Sequence, residues 1–308
     1  MSRLPVGAPT VPAAEIKPGN REGGGAGRGL VILPRDPQSE LLLRNEPAMA
    51  QPLPFVLSQL NQQMVRDTKW QAAVLPFGAT EPHNLHLPYG IDCFQVEAIA
   101  TRACQHAWDA GAKVLQLPFV PFGVNTNYFE IPGAVALSVM PTTLLAILTD
   151  ITESLRRRGI KRLVLLNGHG GNELKPLVRQ LHPNCGVFLA LCDWFRMGQD
   201  IVNEIIEKPG EHADETETSL AMALVPDWVK LDQADAGVAR KSTIEAINKG
   251  WFSITRPWHI ATTNTGLGDP SRSTAIKGEK LLEALGQRLG KALHDVATTP
   301  DSELFPYA

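Results

Sequence analysis

The stretch Ala72-Ala73-Val74-Leu75-Pro76-Phe77-Gly78-Ala79-Thr80-Glu81-Pro82-His83-Asn84-Leu85-His86-Leu87-Pro88-Tyr89-Gly90-Ile91-Asp92 decides how this chain is read. Its apolar start, Ala72 to Phe77, has the length and composition of a buried strand. A carboxylate, two imidazoles and a second carboxylate follow, at Glu81, His83, His86 and Asp92. Acids and imidazoles crowded at the end of a buried strand are costly unless they are paired or bind metal. Mixed oxygen and nitrogen donors suit a divalent ion such as zinc, manganese or iron.

Two more clusters point the same way. Arg162 to Leu166 is a second buried-strand pattern, and it runs into Asn167-Gly168-His169-Gly170-Gly171-Asn172. Glycines around a histidine let the backbone turn tightly and approach a ligand. The third cluster, Gly210-Glu211-His212-Ala213-Asp214-Glu215-Thr216-Glu217-Thr218-Ser219, sets a histidine among acids before an apolar run. In open α/β sheets, sites form outside the carboxyl ends of strands. Two of the three clusters follow such ends.

Blander readings apply elsewhere. His106, His182, His259 and His294 read as ordinary core or surface histidines. The Gly-rich stretch has neither the Lys-Ser/Thr of a P-loop nor a dinucleotide fingerprint. Glu215 and Glu217 fit a solvated helix start, where acids favour the dipole. Glu215 also lies three residues from His212 and on a helix would share its face.

The strings Gly78 to Asp92, Asn167 to Asn172 and His212 to Ser219, in that order, resemble the creatininase family over about residues 55 to 298. The resemblance implies a two-metal site holding Zn2+ and/or Mn2+, with Fe2+ a further fit. Glu81 and His169 match ligands of one metal, His83 matches a ligand of the other, and Asp92 matches the bridge. Creatininase has a further glutamate ligand where this chain has Gly171, so Glu217 becomes the replacement candidate and Glu215 its rival. Glu211-His212 matches the catalytic pair, with His212 donating a proton to the leaving nitrogen and Glu211 orienting it or shuttling the proton. His86 matches a histidine near the site. Asn125, Asn127 and Tyr128 stand near where creatinine-opening relatives carry a Glu-His pair, and they suit a polar, hydroxylated or carbonyl-rich substrate.

The rest of the chain supports an α/β fold. Helical spacing marks Gln95 to Ala107, Thr142 to Arg158, a short segment from Glu173 to Leu181, and Lys280 to Val296. Strand candidates are Lys113 to Val120, Leu163 to Leu166 and Gly186 to Cys192. Alternation of the two implies a three-layer α/β/α architecture, its mainly parallel sheet covered by helices on both faces. Ile131 to Ile151 is apolar, but Pro132, Gly133 and Pro141 interrupt it. It reads as a short strand and a core helix, since a membrane span needs about 20 uninterrupted apolar residues. Val225 to Pro270 is irregular and Trp-rich, and is expected to wrap the site or a subunit interface.

Composition bounds the rest. The 308 residues, 44% hydrophobic with a net charge of -3, suit a cytoplasmic globular enzyme that binds a small molecule. Scattered Lys and Arg give no nucleic-acid footprint. Cys93, Cys104, Cys185 and Cys192 show no Cys-x-x-Cys spacing and read as free thiols. Residues 1–50 read as a disordered or poorly ordered extension without a signal-peptide core, and 51–308 as one hydrolase domain. The family resemblance adds a homo-oligomer, commonly a hexamer. The expected reaction is attack of a metal-bridging hydroxide on the C–N bond of a cyclic amide or related amide. The alternatives are a polyol-derived cyclic ketone or lactone-like ring, and a catalytically silent binding protein.

Overall fold

The computed structural model describes residues 51–307. The expected N-terminal extension lies outside the described residues. Four strands form one parallel sheet in the order β2-β1-β3-β4: β1 (Ala72–Phe77), β2 (Val114–Gln116), β3 (Arg162–Asn167) and β4 (Phe188–Asp193). Five longer helices pack on it: α1 (Ile91–Asp109), α2 (Pro141–Arg157), α3 (Leu174–Cys185), α4 (Glu215–Leu224) and α5 (Ala275–Thr298).

Strand alternation builds the three layers. Ala72 and Val74 of β1, with Val164 and Leu166 of β3, face a core shared with Val96 and Ile99 of α1 and Leu281, Leu285 and Leu289 of α5. Ala73, Leu75 and Phe77, with Leu163 and Leu165, face a second core with Leu144 and Leu148 of α2 and Leu174 and Leu177 of α3. Both sheet faces are therefore covered, which is why β1 and β3 are buried throughout.

Local chemistry sets the boundaries. Pro141 opens α2 at a position where its missing amide is harmless. Thr274 caps α5 by accepting from Lys277 N–H, and left-handed Gly186 ends α3. Pro76 is tolerated inside β1 because β2 pairs only with Ala72 to Val74.

The sequence reading departs from the structure in two elements. The Lys113 to Val120 strand shortens to three residues ahead of Pro118, leaving Val120 a single bridge to Phe77. The short strand expected after Ile131 is reduced to bridges of Leu137 with Thr80 and Ser138 with Gly123, because Pro132-Gly133 and Pro141 leave little chain to extend. Among the described residues, no helix is long and apolar enough to cross a membrane.

Candidate metal centre

Three segments converge at the carboxyl end of the sheet. β1 leads into Glu81 and His83, β3 leads into His169, and α4 follows His212 and carries Glu217. Asp92 sits in the first turn of α1, where the helix dipole favours its charge. Glu81, His83, Asp92, His169 and His212 are all buried, and Glu217 is nearly so.

Asp92 is shared between two histidines. Its Oδ1 lies 3.1 Å from His83 Nε2 and its Oδ2 lies 3.3 Å from His169 Nδ1. On the first side, Glu217 Oε2 is 3.8 Å from the same His83 nitrogen. On the second, Glu81 Oε1 is 3.2 Å from the same His169 nitrogen. Two overlapping triads result, Glu81–Asp92–His169 and His83–Asp92–Glu217, with ligand atoms within 4.8 Å of one another. A third grouping, Glu81–His83–His212, overlaps both.

Hydrogen-bond accounting shows what the cluster lacks. His83 Nδ1 lies 3.1 Å from the Glu81 carbonyl, which can only accept, so Nδ1 carries a proton. In the neutral ring the other nitrogen is then a bare lone pair facing carboxylate oxygens. Both Glu81 oxygens and Asp92 Oδ2 are buried without a hydrogen bond of good geometry. Acceptors facing acceptors in a dry site require a cation between them. The donor set fits divalent ions that take imidazole and carboxylate together.

The pKa shifts express the same frustration. Burial alone would depress His83, but Asp92, Glu217 and Glu81 together carry it up to about 10. Burial likewise opposes the charge on His169, and Glu81 and Asp92 raise it to about 10. Protons thus stand in for metal. Burial and then the charge at His83 push His212 well below the ordinary imidazole range, so that ring is neutral. Burial raises Glu217 above the usual carboxylate range, against the pull of His83.

His212 sits over the cluster. Its ring stacks on His83 at 4.1 Å between centroids and packs against Trp258 at 4.9 Å. Nε2 donates to the Pro82 carbonyl at 3.0 Å, so the lone pair is on Nδ1, 3.7 Å from Glu81 Oε1. Tyr128, buried, brings its hydroxyl within 3.4 Å of His212 Nε2. A cavity of about 300 Å3 opens beside these groups, walled by Trp194, Phe195, Gln199, Glu211 and Thr216.

Other expected residues are placed differently. Glu211 does not touch His212. Its exposed carboxylate accepts from Arg256 at 2.6 Å, because neighbours in an extended segment point to opposite sides. Glu215 is neither solvated nor on the face of His212. It is fully buried, paired with Lys277 at 2.5 Å, and accepts from the amides of Glu207 and Lys208. The helix begins only at Glu215, so helical spacing does not reach back to His212. His86 bonds Thr218 of α4 at 2.8 Å, and burial pushes it down to about 4. Asn125 donates to the Leu137 carbonyl, and Asn127 makes no hydrogen bond among the described residues.

Some contributors escaped the sequence reading. Asn167 Nδ2 donates to the His169 carbonyl and to Asp193 of β4, and Asn172 ties the Gly-rich turn to the Gly78 carbonyl. Trp258 packs on His212 and Trp194 lines the cavity. Trp258 belongs to the irregular stretch expected to wrap the site or an interface, whereas Trp194 carried no signal of its own. Gly171 has a structural reason as well: a Cβ there would lie 2.3 Å from His169 Nε2.

Comparison with known proteins agrees with this architecture. The profile of the creatininase (creatinine amidohydrolase) family matches residues 58–293. A mycofactocin precursor peptide peptidase of Mycobacterium tuberculosis (strain ATCC 25618 / H37Rv) is 30% identical over 220 residues, 69% of this chain and 80% of that protein. A 3-dehydro-scyllo-inosose hydrolase of Thermotoga maritima is 23% identical over 273 residues, 80% of this chain and 85% of that one. The crystal structure of a putative creatinine amidohydrolase from Bacteroides fragilis NCTC 9343 superposes with a TM-score of 0.76 at 33% identity, covering 83% of this chain and 100% of that chain.

Two outcomes are expected of the cluster. Glu217→Gln should lower occupancy of the His83 side and leave the Glu81–His169 side filled, whereas Glu215→Gln should leave both filled. Metal titration of the two variants checks this, and unchanged uptake by Glu217→Gln would refute it. Metal uptake near neutral pH should also release the protons of His83 and His169, so affinity rises with pH until about 10. Calorimetry in buffers of differing ionisation heat measures the release; a buffer-independent heat would contradict it.

Proposed function

The chain belongs to the creatininase family, and on that premise we propose that it is a metal-dependent hydrolase of an amide carbon–nitrogen bond. The observation that supports this reading is the buried carboxylate of Asp92, one oxygen toward His83 and Glu217, the other toward His169 and Glu81. The Glu81–Asp92–His169 and His83–Asp92–Glu217 triads would each hold one divalent ion, Zn2+ or Mn2+. Such ions supply Lewis-acid polarisation of a carbonyl and acidify water.

The protein's own groups do the rest. His212 is neutral and offers the Nδ1 lone pair to the site, so it takes a proton there and returns it to the leaving nitrogen. The Pro82 carbonyl fixes the ring by holding its other N–H. Glu211 lines the cavity with Arg256 on its carboxylate, and serves the substrate's approach rather than His212. Trp194 and Phe195 give the cavity an apolar wall, and its size suits a small cyclic amide or the end of a peptide.

A second reading keeps these residues and changes the bond to one in a polyol-derived ring ketone. The Thermotoga maritima inosose hydrolase favours it, as do Gln199, Glu211 and Thr216 on the cavity wall. Assay of metal-loaded protein against ring-amide, short-peptide and ring-ketone panels discriminates the two. Hydrolysis of ketones alone would overturn the amide assignment. The intact set of buried ligand groups supports an enzyme over a silent binding protein. The four free thiols support a reducing, cytoplasmic setting.

His212→Ala should keep its metal and lose about 10² to 10⁴ in turnover, the contribution of general acid–base catalysis. Amides with good leaving groups should suffer less. Equal losses across leaving groups would remove proton donation from the mechanism.

We also propose that copies of the chain associate. Trp251 and Phe252 are 73% and 63% exposed, with Ile244, Ile254 and Ile260 near them in sequence and also exposed. A second copy would cover such surface. Light scattering at micromolar concentration should give a mass well above 33.5 kDa, and a monomer there would end the idea.

A further inference from the structure

Among the described residues, the non-glycine residues with positive φ are Asn84 (54°), Ala213 (50°) and Thr265 (68°). All three border the metal centre. Asn84 follows His83 and Ala213 follows His212. Thr265 comes from the irregular segment, far away in sequence. A β-branched residue in this region is a true outlier, and such strain persists only where the surroundings impose it. The surroundings here are hydrogen bonds.

Thr265 is buried, and its hydroxyl bonds the segment that carries His83 on both sides of that histidine. It accepts from Asn84 N–H at 2.9 Å and donates to the Pro82 carbonyl at 3.2 Å. That carbonyl also receives His212 Nε2–H at 3.0 Å. A continuous chain results, from the Asn84 amide through the Thr265 hydroxyl and the Pro82 carbonyl to the His212 ring. Two donors, the Thr265 hydroxyl and His212 Nε2–H, converge on that one carbonyl, and the hydroxyl holds it in place for the ring. The Thr265 amide donates in turn to Thr262 Oγ1, and Leu267 pairs with the backbone of His212. Gly266 completes the fit, since a Cβ there would meet Asn84 Nδ2 at 2.6 Å.

We propose that Thr265 is a positioning residue that fixes the tautomer of His212, acting through the Pro82 carbonyl. With the proton held on Nε2, only Nδ1 is available toward Glu81 and the site. If the carbonyl drifts, Nε2–H loses its acceptor, and the ring can turn or exchange tautomers. The hydroxyl is therefore required for more than local packing. It couples the segment bearing His83 to the orientation of His212. The consequence for turnover rests on the hydrolase reading; the tautomer does not.

The test is nitrogen NMR of the full-length, zinc-loaded protein with isotope-labelled histidines, the His212 signals being identified by their loss in His212→Asn. Wild type and Thr265→Ser should report one fixed tautomer, protonated at Nε2. Thr265→Gly relieves the positive φ while removing the hydroxyl, and Thr265→Val keeps the shape without it. Both should lose the fixed tautomer. With a substrate found by the panels, turnover of both should fall about 10- to 100-fold, with Thr265→Ser retaining activity. If Thr265→Gly keeps a fixed Nε2–H tautomer, the proposal is overturned. A lost tautomer in a protein that hydrolyses no amide would support the positioning role and count against the amide reading alone.

Discussion

The Asp92 carboxylate is the interaction on which the rest of the site depends. It is buried, it starts a helix, and its two oxygens face two different histidines. Burial opposes its charge, yet the flanking rings hold it well below the ordinary carboxylate range. Without cations the cluster balances its acids by protonating His83 and His169. Two divalent ions would replace those protons and reverse the balance. The carboxylates of Glu81, Asp92 and Glu217 leave such a pair of ions with surplus positive charge. On the hydrolase reading, that surplus would favour an anion developing at a substrate carbonyl.

The fold exists, in this sense, to keep Asp92 and its neighbours still. The parallel sheet delivers Glu81 and His83 after β1 and His169 after β3, two adjacent strands. Helix α1 returns directly from the Glu81 turn and brings Asp92 back over both. Apolar packing on the two sheet faces fixes these elements without using any polar group of the site. The polar support is separate. Asn167 and Asn172 shape the turn at His169, and Asp214 caps α4 beneath Glu217. Glu215 and Lys277 secure the stretch ahead of His212.

The sheet, the long helices and the clustering of acids with imidazoles were legible in the sequence because each has a strong local signature. Buried strands read as apolar runs, α2 and α5 as leucines at helical spacing, and acid-imidazole clusters as chemistry too costly to bury idly. What was not legible depends on direction. Glu211 and His212 are neighbours in sequence and point apart. Glu215 looked like a solvent-facing acid, and only the fold sets Lys277 against it. Asn125 also donates to the Leu137 carbonyl, a bond that nothing in its own stretch of sequence signals. Trp258 and Thr265 lie in a segment without periodicity, so nothing local joins them to His212.

That division also bears on how one scaffold serves different bonds. Divalent ions held by these ligands would polarise a carbonyl whatever its neighbours are, so the cluster alone would not select a substrate. On that reading selection would fall to the cavity wall, built from Trp194, Phe195 and Gln199 after β4, and from Glu211 near Arg256. The leaving atom then decides how much proton donation matters: an amide nitrogen needs it, and a ring carbon needs its own proton delivered elsewhere. His212 lies between the two demands. Its neutrality would let it accept, its held Nε2–H fixes which nitrogen is free to do so, and its packing against His83 and Trp258 would limit where that proton could go. On the hydrolase reading, the orientation of this one ring would join the general chemistry of the cluster to the particular chemistry of the substrate.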